Sequence, residues 1–185
     1  MDNLITVRYF PRMDVPDETS WLAAARCGER WALEQFYACY QPQIYTLCQR
    51  MLAHSEDAED AMQAAFVKAF RALPHFRGES SLKTWLYRIA MNEALSVLRK
   101  RRGETAPLGE SVAVADGTLP VAQRVAVQTA LARMKPDHRA ILILRFWEEL
   151  SYEEIAAVLG ISLPAVTMRL RRAREEFQKR YEGAP

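Results

Sequence analysis

The sequence predicts an all-α protein of two small helical domains joined by a flexible linker. Apolar residues recur at helical spacing through most of the chain, whereas strand patterns are essentially absent. Residues 103–120 lose this periodicity and collect glycine, proline and small residues, which is typical of a linker. With 185 residues, 50% of them apolar, the chain has room for two cores of fewer than about a hundred residues each.

Residues 1–20 are predicted to form an N-terminal arm, because they carry prolines and no sustained period. The first domain follows over residues 21–102. Its helical spacing starts at Glu29, and Pro42 predicts a kink or a restart of this first helix.

Two further helices complete the predicted first domain. Ser55 is the expected N-cap of the first of them, whose opening turn is acidic and which ends at Pro74. The residues predicted to form its buried stripe are Ala58, Ala61, Met62, Ala65, Phe66, Ala69 and Leu73. A loop over residues 74–81 leads to the second helix, which begins near Leu82 and runs into the basic residues 99–102.

The second domain is predicted over residues 121–185. One helix runs to about Met134, and another runs from Asp137 as N-cap to about Glu149. Two short helices are expected after them.

The last two helices have the pattern of a helix-turn-helix. Residues 151–154 read Ser-Tyr-Glu-Glu, a capping box, and Gly160 marks the turn after a short apolar helix. Ser162 can cap the next helix, and Pro164 is tolerated in its first turn. The arginines within residues 169–174 must then point largely outward, and such a helix fits the major groove of duplex DNA. On charge alone, a solvated basic helix of a bundle is the alternative.

The formal net charge of +2 is nearly neutral, but the charges are unevenly distributed. Basic residues dominate residues 68–102 and 169–180, whereas residues 56–60 form an acidic patch. Two cationic surfaces indicate more than one polyanionic contact, and the acidic patch indicates a different partner.

The third predicted helix carries an outward stripe that suits unpaired bases. The stripe consists of Trp85, Arg88, Asn92 and Arg99, beside Lys83 and Tyr87. Stacking a base on an aromatic ring contributes about 1–3 kcal/mol, and an asparagine can read a base edge that a duplex hides. The alternative is that Trp85 and Tyr87 are ordinary core aromatics.

Such a protein cannot open DNA alone. A bubble of ten base pairs costs on the order of 14 kcal/mol, at about 1.4 kcal/mol for each step, and capturing one or two bases does not offset that cost. A larger machine must therefore hold the bubble. The acidic helix face around Asp57 and Asp60 is the candidate surface for docking to it.

The three cysteines are odd in number and lack C-x-x-C spacing, so they predict neither a disulfide framework nor a zinc site. No cofactor or metal ion is expected. Free thiols fit a reducing cytoplasm, and no stretch approaches the roughly 20 apolar residues that span a bilayer. The sequence therefore predicts a soluble cytoplasmic protein without direct membrane insertion.

Two sets of motifs identify a family. The first set lies at residues 57–73, 76–81 and 84–92, the last of which read Thr-Trp-Leu-Tyr-Arg-Ile-Ala-Met-Asn. The second set is Pro-Asp-His-Arg at 136–139, Ser-Tyr-Glu-Glu-Ile-Ala at 151–156 and Arg-Leu-Arg-Arg-Ala-Arg at 169–174. They resemble region 2 and region 4 of the extracytoplasmic-function (ECF) sigma factors of bacterial RNA polymerase, and the resemblance covers residues 29–181.

The resemblance implies a sigma factor, and not an enzyme, that directs promoter recognition, promoter opening and transcription initiation for a stress or envelope response. Its implied partners are core RNA polymerase, promoter DNA and an anti-sigma factor. The acidic helix would bind the clamp coiled coil of the largest polymerase subunit. The residues implied in that contact are Asp57, Asp60, Gln63, Phe66 and Lys68.

The resemblance also implies the DNA contacts. The loop over residues 76–81, with Asn92 behind it, would hold a flipped base of the single-stranded minus-10 element. The helix over residues 163–174 would read the minus-35 duplex, and the linker would thread toward the polymerase active-site cleft. The residues implied at minus-10 are Phe76, Arg77, Gly78, Ser80, Ser81, Lys83, Trp85, Arg88, Asn92 and Arg99. The residues implied at minus-35 are Ser162, Pro164, Ala165, Thr167, Met168, Arg169, Arg171, Arg172 and Arg174.

One segment departs from the family pattern. ECF sigma factors usually carry Gly-Thr-Val-Lys/Arg-Ser-Arg where residues 164–169 read Pro-Ala-Val-Thr-Met-Arg. Thr167 and Met168 thus replace a cation and a serine, so the minus-35 sequence that this chain reads is expected to be unusual.

Two other functions stay open on the sequence alone. A stand-alone repressor or activator would use only the helix-turn-helix, and it leaves the first domain unexplained. A metal-dependent nuclease would use Glu56, Glu59 and Asp60, together with His54. Adjacent acids in a first helical turn are, however, far more often partners of the helix dipole.

Overall fold

The structure is a computed structural model that describes residues 18–101 and 120–182. These residues form α-helices and no β-strand, which confirms the all-α prediction. The predicted arm up to residue 17 and the predicted linker from residue 103 to 119 lie outside the described residues. The helices are α1 (Glu18–Arg26), α2 (Arg30–Leu52), α3 (Ser55–Ala72), α4 (Leu82–Arg101), α5 (Val121–Ala132), α6 (Pro136–Phe146), α7 (Tyr152–Leu159) and α8 (Leu163–Glu182). A single 3-10 turn, Leu73–His75, follows α3.

The first domain packs α1 to α4 around an aromatic and aliphatic core. Phe36 of α2 is fully buried at its centre. The ring of Phe36 lies 5.4 to 5.9 Å, between centroids, from the rings of Trp21, Tyr40, Phe66 and Phe70. Each such aromatic pair contributes about 0.5–1.5 kcal/mol beyond the burial of its surface, so this cluster holds α1, α2 and α3 together.

Helix α1 departs from the sequence prediction, because it begins inside the segment expected to be an arm. A helix of 9 residues is too short to be stable alone in water. It is stabilised by burying Trp21 and Ala25 against the rest of the first domain. For helix α2 the sequence left a kink and a restart at Pro42 as alternatives. The helix continues through Pro42, so no restart occurs there.

Two predicted N-caps are wrong by one or two positions. His54 is the N-cap of α3 and Ser55 is its first residue. Lys135 is the N-cap of α6, because Pro136 occupies the first helical position, where its fixed φ angle is favourable. Asp137 therefore lies in the first turn, where its charge still complements the helix dipole.

The second domain packs α8 across α5, α6 and α7. The predicted capping box is confirmed: the Ser151 hydroxyl accepts a hydrogen bond from the Glu154 amide at 3.1 Å, and the Ser151 amide donates to the Glu154 carboxylate at 2.8 Å. Gly160 ends α7 with a φ of 63°, the left-handed conformation that favours glycine. The turn and the two helices around it form the predicted helix-turn-helix.

Helix α8 is 20 residues long, whereas the sequence predicted a short helix. Its second half is rich in arginine, glutamate, glutamine and lysine, which are good helix formers. Ion pairs four residues apart, such as Arg171 with Glu175 at 3.9 Å, support the extension.

The two domains contact each other through their helices. Helix α7 packs against α4, and α6 packs against α2 and α4. The buried residues of both domains form one continuous hydrophobic cluster.

Candidate nucleic-acid interface

The loop before α4 is built on a turn and a cap. Gly78 adopts a φ of 73°, which a residue with a side chain rarely does. The Ser81 hydroxyl accepts a hydrogen bond from the Thr84 amide at 3.1 Å, as the N-cap of a helix does. Arg77 is exposed beside Gly78, and Ser80 is half-buried. The loop therefore presents its backbone and one cation to solvent.

A cavity of about 460 Å³ lies against this loop and the start of α4. Phe76 and Trp85 form its aromatic wall, with ring centroids 5.2 Å apart. Arg77 and Arg88 add positive charge to the lining. Ligand pockets range from about 300 to 1,000 Å³, so this cavity has room for a nucleobase. The lining is completed by His75, Glu79, Ser80, Thr84 and Ala157.

The rest of the predicted minus-10 stripe lies outside this cavity. Asn92 and Arg99 are exposed further along α4 but are not part of the cavity lining. The Lys83 ammonium lies over the ring of Tyr87, 5.2 Å from its centroid. Tyr87 itself is buried, so the alternative of a core aromatic is right for this residue.

The acidic helix α3 exposes only some of the residues predicted to bind polymerase. Asp60 and Gln63 are exposed, and the Gln63 amide donates to Glu59 at 3.4 Å. Lys68 is exposed and pairs with Glu93 of α4 at 2.6 Å. Together these side chains form one polar face of α3.

Two of the predicted polymerase-binding residues are instead engaged within the domain. Asp57 is ion-paired with Arg101 at the end of α4, and it also lies 3.8 Å from His54. Phe66 is buried, with its ring 4.7 Å from that of Tyr37. Phe66 therefore positions α3 and its neighbour rather than projecting from the surface.

The sequence analysis missed two exposed apolar side chains near this face. Val67 of α3 is 48% exposed, and Tyr37 of α2 is 38% exposed. The helical pattern did not indicate that these two apolar side chains are exposed, because each lies next to a buried residue in sequence. Val67 directly follows the buried Phe66, and Tyr37 directly follows the buried Phe36.

Helix α8 exposes most of the predicted minus-35 residues. Those exposed are Ser162, Pro164, Thr167, Met168, Arg171, Arg172 and Arg174, whereas Ala165 and Arg169 are half-buried. The Arg174 guanidinium lies over the ring of Phe146, 5.1 Å from its centroid. The Thr167 hydroxyl donates to the Leu163 carbonyl at 3.4 Å.

A second cavity, of about 870 Å³, separates the start of α8 from the end of α4. Arg99 and Leu95 line it on the α4 side. Five residues of α8 line the opposite side, namely Pro164, Ala165, Met168, Arg169 and Arg172, and residues 135–138 close one end. Residues predicted for the two DNA elements thus face each other across this cavity.

The nuclease alternative requires a group of metal-ligating side chains. Within residues 18–101 and 120–182, no group of three or more histidine, cysteine, aspartate or glutamate side chains is arranged to hold a metal ion. None of the described helices is both long enough and apolar enough to cross a membrane.

Comparisons with known proteins match both domains. The family model for Sigma-70 region 2 matches residues 36–104, and the model for Sigma-70 region 4 matches residues 124–177. The chain is 36% identical over 159 residues to the ECF RNA polymerase sigma factor SigM of Mycobacterium tuberculosis, with 85% of this chain and 81% of that protein covered. It is 33% identical over 172 residues to the ECF RNA polymerase sigma-E factor of Escherichia coli, with 84% and 89% covered.

Solved structures share the fold. The sigma factor RpoE of Bartonella quintana, solved with the anti-sigma factor NepR, matches with a TM-score of 0.67 and 28% identity over 82% of this chain and 98% of that chain. CnrH, solved with the cytosolic domain of CnrY, matches with a TM-score of 0.70 and 24% identity over 91% and 99%.

Proposed function

The chain belongs to the ECF group of sigma-70 RNA polymerase sigma factors, and we propose that its two domains hold promoter DNA in two different states. As a sigma factor it acts in transcription initiation, and it is a regulatory protein rather than an enzyme. In this proposal residues 21–102, with α1, hold core polymerase and the melted minus-10 strand. Residues 121–185 hold the minus-35 duplex, residues 103–120 link the domains, and residues 1–20 contain the N-terminal arm.

The cavity beside Phe76 and Trp85 is the observation that carries the minus-10 proposal. It combines an aromatic wall, two arginines and a volume suited to one base. Base stacking on an aromatic side chain is favourable for every base, so the cations and polar groups of the lining must supply the selectivity. Arg77 and Arg88 are the cationic candidates for this role, because both line the cavity and both are exposed.

The remaining minus-10 residues extend the same surface along α4. Asn92 lies four residues beyond Arg88, and both are exposed, so they share one face of the helix. Arg99 continues this face toward the end of α4. We assign to Asn92 and Arg99 the contacts with the strand that leads to the captured base, through a base edge and a phosphate respectively.

The polar face of α3 is proposed as the polymerase contact. Asp60, Gln63 and Lys68 are exposed there, and Val67 and Tyr37 add exposed apolar area of the kind found at the centre of interfaces. Asp57 and Phe66 act indirectly. The ion pair of Asp57 with Arg101 fixes the start of α3, and the burial of Phe66 fixes its middle.

Helix α8 is proposed to read the minus-35 duplex. Its N-terminal residues follow the turn at Gly160, as the recognition helix of a helix-turn-helix requires. Met168 and Thr167 are exposed in the first two turns, where they supply apolar contacts suited to a thymine methyl group. Arg171 and Arg172 supply the phosphate and base contacts. An unusual minus-35 sequence follows from this composition.

Control by an anti-sigma factor is also proposed. The Bartonella quintana RpoE was solved in complex with the anti-sigma factor NepR, and 82% of this chain matches that fold. A response to stress or to envelope damage, carried out in the cytoplasm, fits the ECF group to which the chain belongs.

Run-off transcription tests the proposed function and also identifies the promoter sequences that the chain recognises. Core RNA polymerase would be mixed with the purified chain and a library of templates randomised at the minus-35 and minus-10 elements. We expect transcripts that start at a fixed distance from enriched elements, and only when the chain is present. A library transcribed without enrichment, or no transcript at all, would contradict the proposal.

A further inference from the structure

The larger cavity, between the end of α4 and the start of α8, is lined by cations from both domains. Arg99 of α4 lies on one wall, and Arg169 and Arg172 of α8 lie on the other. Lys135, just before α6, closes one end. Among the described residues of the lining, Asp137 is the only acid against these four cations. This cavity, the α4–α8 cleft, therefore carries an excess of positive charge.

The described part of the chain offers these four cations no acidic partner. Within residues 18–101 and 120–182, none of their side chains forms an ion pair with an aspartate or a glutamate. The positions three and four residues before and after Arg99 and Arg169, from which a helical neighbour would pair with them, hold no acid. By contrast, Arg171, which lies outside the cleft lining, pairs with Glu175 at 3.9 Å. The charge of the cleft is therefore open to an external anion.

Glu176 lies four residues after Arg172 on α8, at the spacing of a helical ion pair, but it is engaged elsewhere. One oxygen of its carboxylate lies 2.5 Å from Nδ1 of His138, and the other accepts a hydrogen bond from the Lys135 amide at 3.2 Å. The Arg180 guanidinium also lies 3.9 Å from this carboxylate. Glu176 thus connects α8 to the start of α6, and the charge of Arg172 is left for the cleft.

Apolar side chains share the cleft with these cations. Leu95 of α4 and Pro164, Ala165 and Met168 of α8 belong to its lining, and Met168 is 49% exposed. Ligand pockets of about 300–1,000 Å³ combine an apolar lining with a few convergent polar groups, and the cleft, at about 870 Å³, fits this description. A water-sized ion occupies only about 30 Å³. The cleft is therefore suited to a molecule rather than to a single simple ion.

Phosphate oxygens are the anionic groups that best match the cleft. The planar guanidinium of an arginine donates two parallel hydrogen bonds to a phosphate, and such charge-assisted bonds are stronger than neutral ones. Arg99 and Arg172 lie on opposite walls. A diphosphate has charged oxygens on two linked groups, so it can contact both walls and offset the repulsion between them. An apolar group attached to the diphosphate would then pack against Met168.

We propose that the α4–α8 cleft is a binding site for a small molecule that carries a diphosphate, held by Arg99 on one wall and by Arg169 and Arg172 on the other. A nucleoside diphosphate and inorganic pyrophosphate share this group, and they differ in whether the apolar lining takes part. The bound molecule occupies residues that are also proposed to contact minus-35 DNA, so it competes with the duplex. This competition rests on the proposed function of α8, whereas the site itself does not.

Isothermal titration calorimetry of the full chain tests the site. Salt and divalent cations are kept low, because both weaken the attraction between exposed cations and phosphates. The titrants are ADP, inorganic pyrophosphate and adenosine. We expect saturable binding of one diphosphate per chain with a Kd below about 1 mM, and no binding of adenosine alone. Tighter binding of ADP than of pyrophosphate identifies a nucleotide site, and equal affinities identify a site for the phosphates alone.

Matched variants locate the site. Arg99→Ala and Arg172→Ala each remove one cation of the cleft, and each is expected to weaken binding about tenfold, as the loss of a hydrogen bond to a charged group does. The controls are Lys100→Ala and Arg171→Ala, which remove the neighbouring exposed cations outside the cleft lining. All four residues are exposed, so their replacement leaves no cavity in the core, and circular dichroism checks the folding of each variant.

The absence of saturable binding by both ADP and pyrophosphate would overturn the proposal. Equal losses in the variants and in their controls would also overturn it, since they would show unspecific attraction to a basic surface. A loss confined to Arg172→Ala would do the same, because it would show a site on α8 alone.

Fluorescence anisotropy with a labelled minus-35 duplex tests the competition. We expect an excess of the tighter-binding diphosphate to lower the affinity of the chain for the duplex. Diphosphate binding by a chain that binds no minus-35 duplex would contradict the proposed role of α8 and leave the cleft site supported.

Discussion

The ring of Trp85 lies against the ring of Phe76, with centroids 5.2 Å apart and planes inclined by 49°. Phe76 is buried, and Trp85 is half-buried at the edge of the same cavity. Trp85 is therefore both a packing residue of the first domain and a wall of the proposed base site. The sequence left these two roles as alternatives; the structure shows the packing role, and the base contact is part of the proposed function.

Trp85→Ala is expected to impair promoter opening. It removes a stacking surface worth about 1–3 kcal/mol for one base. Trp85→Phe retains an aromatic face and should keep most of the activity. Permanganate reactivity of the minus-10 strand, measured with core polymerase, reports opening. Because Trp85 also packs on Phe76, the thermal unfolding of each variant is measured as a control for folding. A Trp85→Ala variant that unfolds like wild type and still opens the promoter normally would contradict the base site.

Asn92→Ala is expected to lower the yield of open complex while leaving the association with core polymerase unchanged. Asn92 is exposed on α4 and can be replaced without leaving a cavity. The matched control is Gln178→Ala, an exposed amide near the end of α8. An open-complex yield equal to that of the control would remove Asn92 from the DNA contact.

Arg172→Ala is expected to weaken binding to minus-35 DNA. A lost base contact costs about 1–3 kcal/mol and relaxes specificity at one position, whereas a lost phosphate contact reduces the salt slope by about 1. Fluorescence anisotropy over a series of salt concentrations separates these outcomes. Lys179→Ala, an exposed cation further along α8, is the control. If Arg172→Ala and Lys179→Ala bind minus-35 DNA with the same affinity and the same salt dependence, Arg172 does not contact DNA.

Asp60→Arg is expected to slow association with core polymerase. Asp60 is exposed on the polar face of α3, and a charge at the rim of an interface acts mainly on the association rate and its salt dependence. Glu153→Arg reverses an exposed charge on α7 and is the control. Biolayer interferometry at low and high salt gives the rates, and equal rates for both variants would move the polymerase contact away from α3.

Cys48 is expected to resist alkylation, whereas the exposed Cys27 reacts. Burial, together with the charge of Glu93, raises the pKa of Cys48 from 9.0 to about 12. Little thiolate therefore forms at about pH 8 in the folded protein. Between 9.0 and about 12 the unfolded chain loses this proton and the folded chain keeps it, so stability falls as the pH rises through that window. Mass spectrometry after iodoacetamide treatment shows whether Cys27 is alkylated before Cys48. Rapid labelling of Cys48 would contradict the prediction and show that α2 opens.

Apolar periodicity and capping motifs predicted much of the fold, because the helices they describe are set by residues close together in sequence. The apolar period of α3 predicted its buried stripe, and the capping box at Ser151 and Glu154 formed as expected. Helix α1 was missed because the burial of Trp21 against Phe36 stabilises it, and that contact joins separate helices.

The site was only partly predictable for the same reason. Arg88 and Asn92 are exposed as helical spacing indicates. The apolar period predicted a buried Phe66, whereas the resemblance implied a polymerase contact there, and the structure buries Phe66. The contacts between the domains were not predictable either, because Glu148 binds Arg50 and Tyr87, which lie 98 and 61 residues away in sequence.

Co-elution with core RNA polymerase tests the central claim most directly. The account predicts that the full chain and core polymerase migrate as one complex in size-exclusion chromatography, and that charge reversal at Asp60 diminishes the complex. A chain that folds, as judged by circular dichroism, and still elutes apart from core polymerase at every concentration would contradict the account.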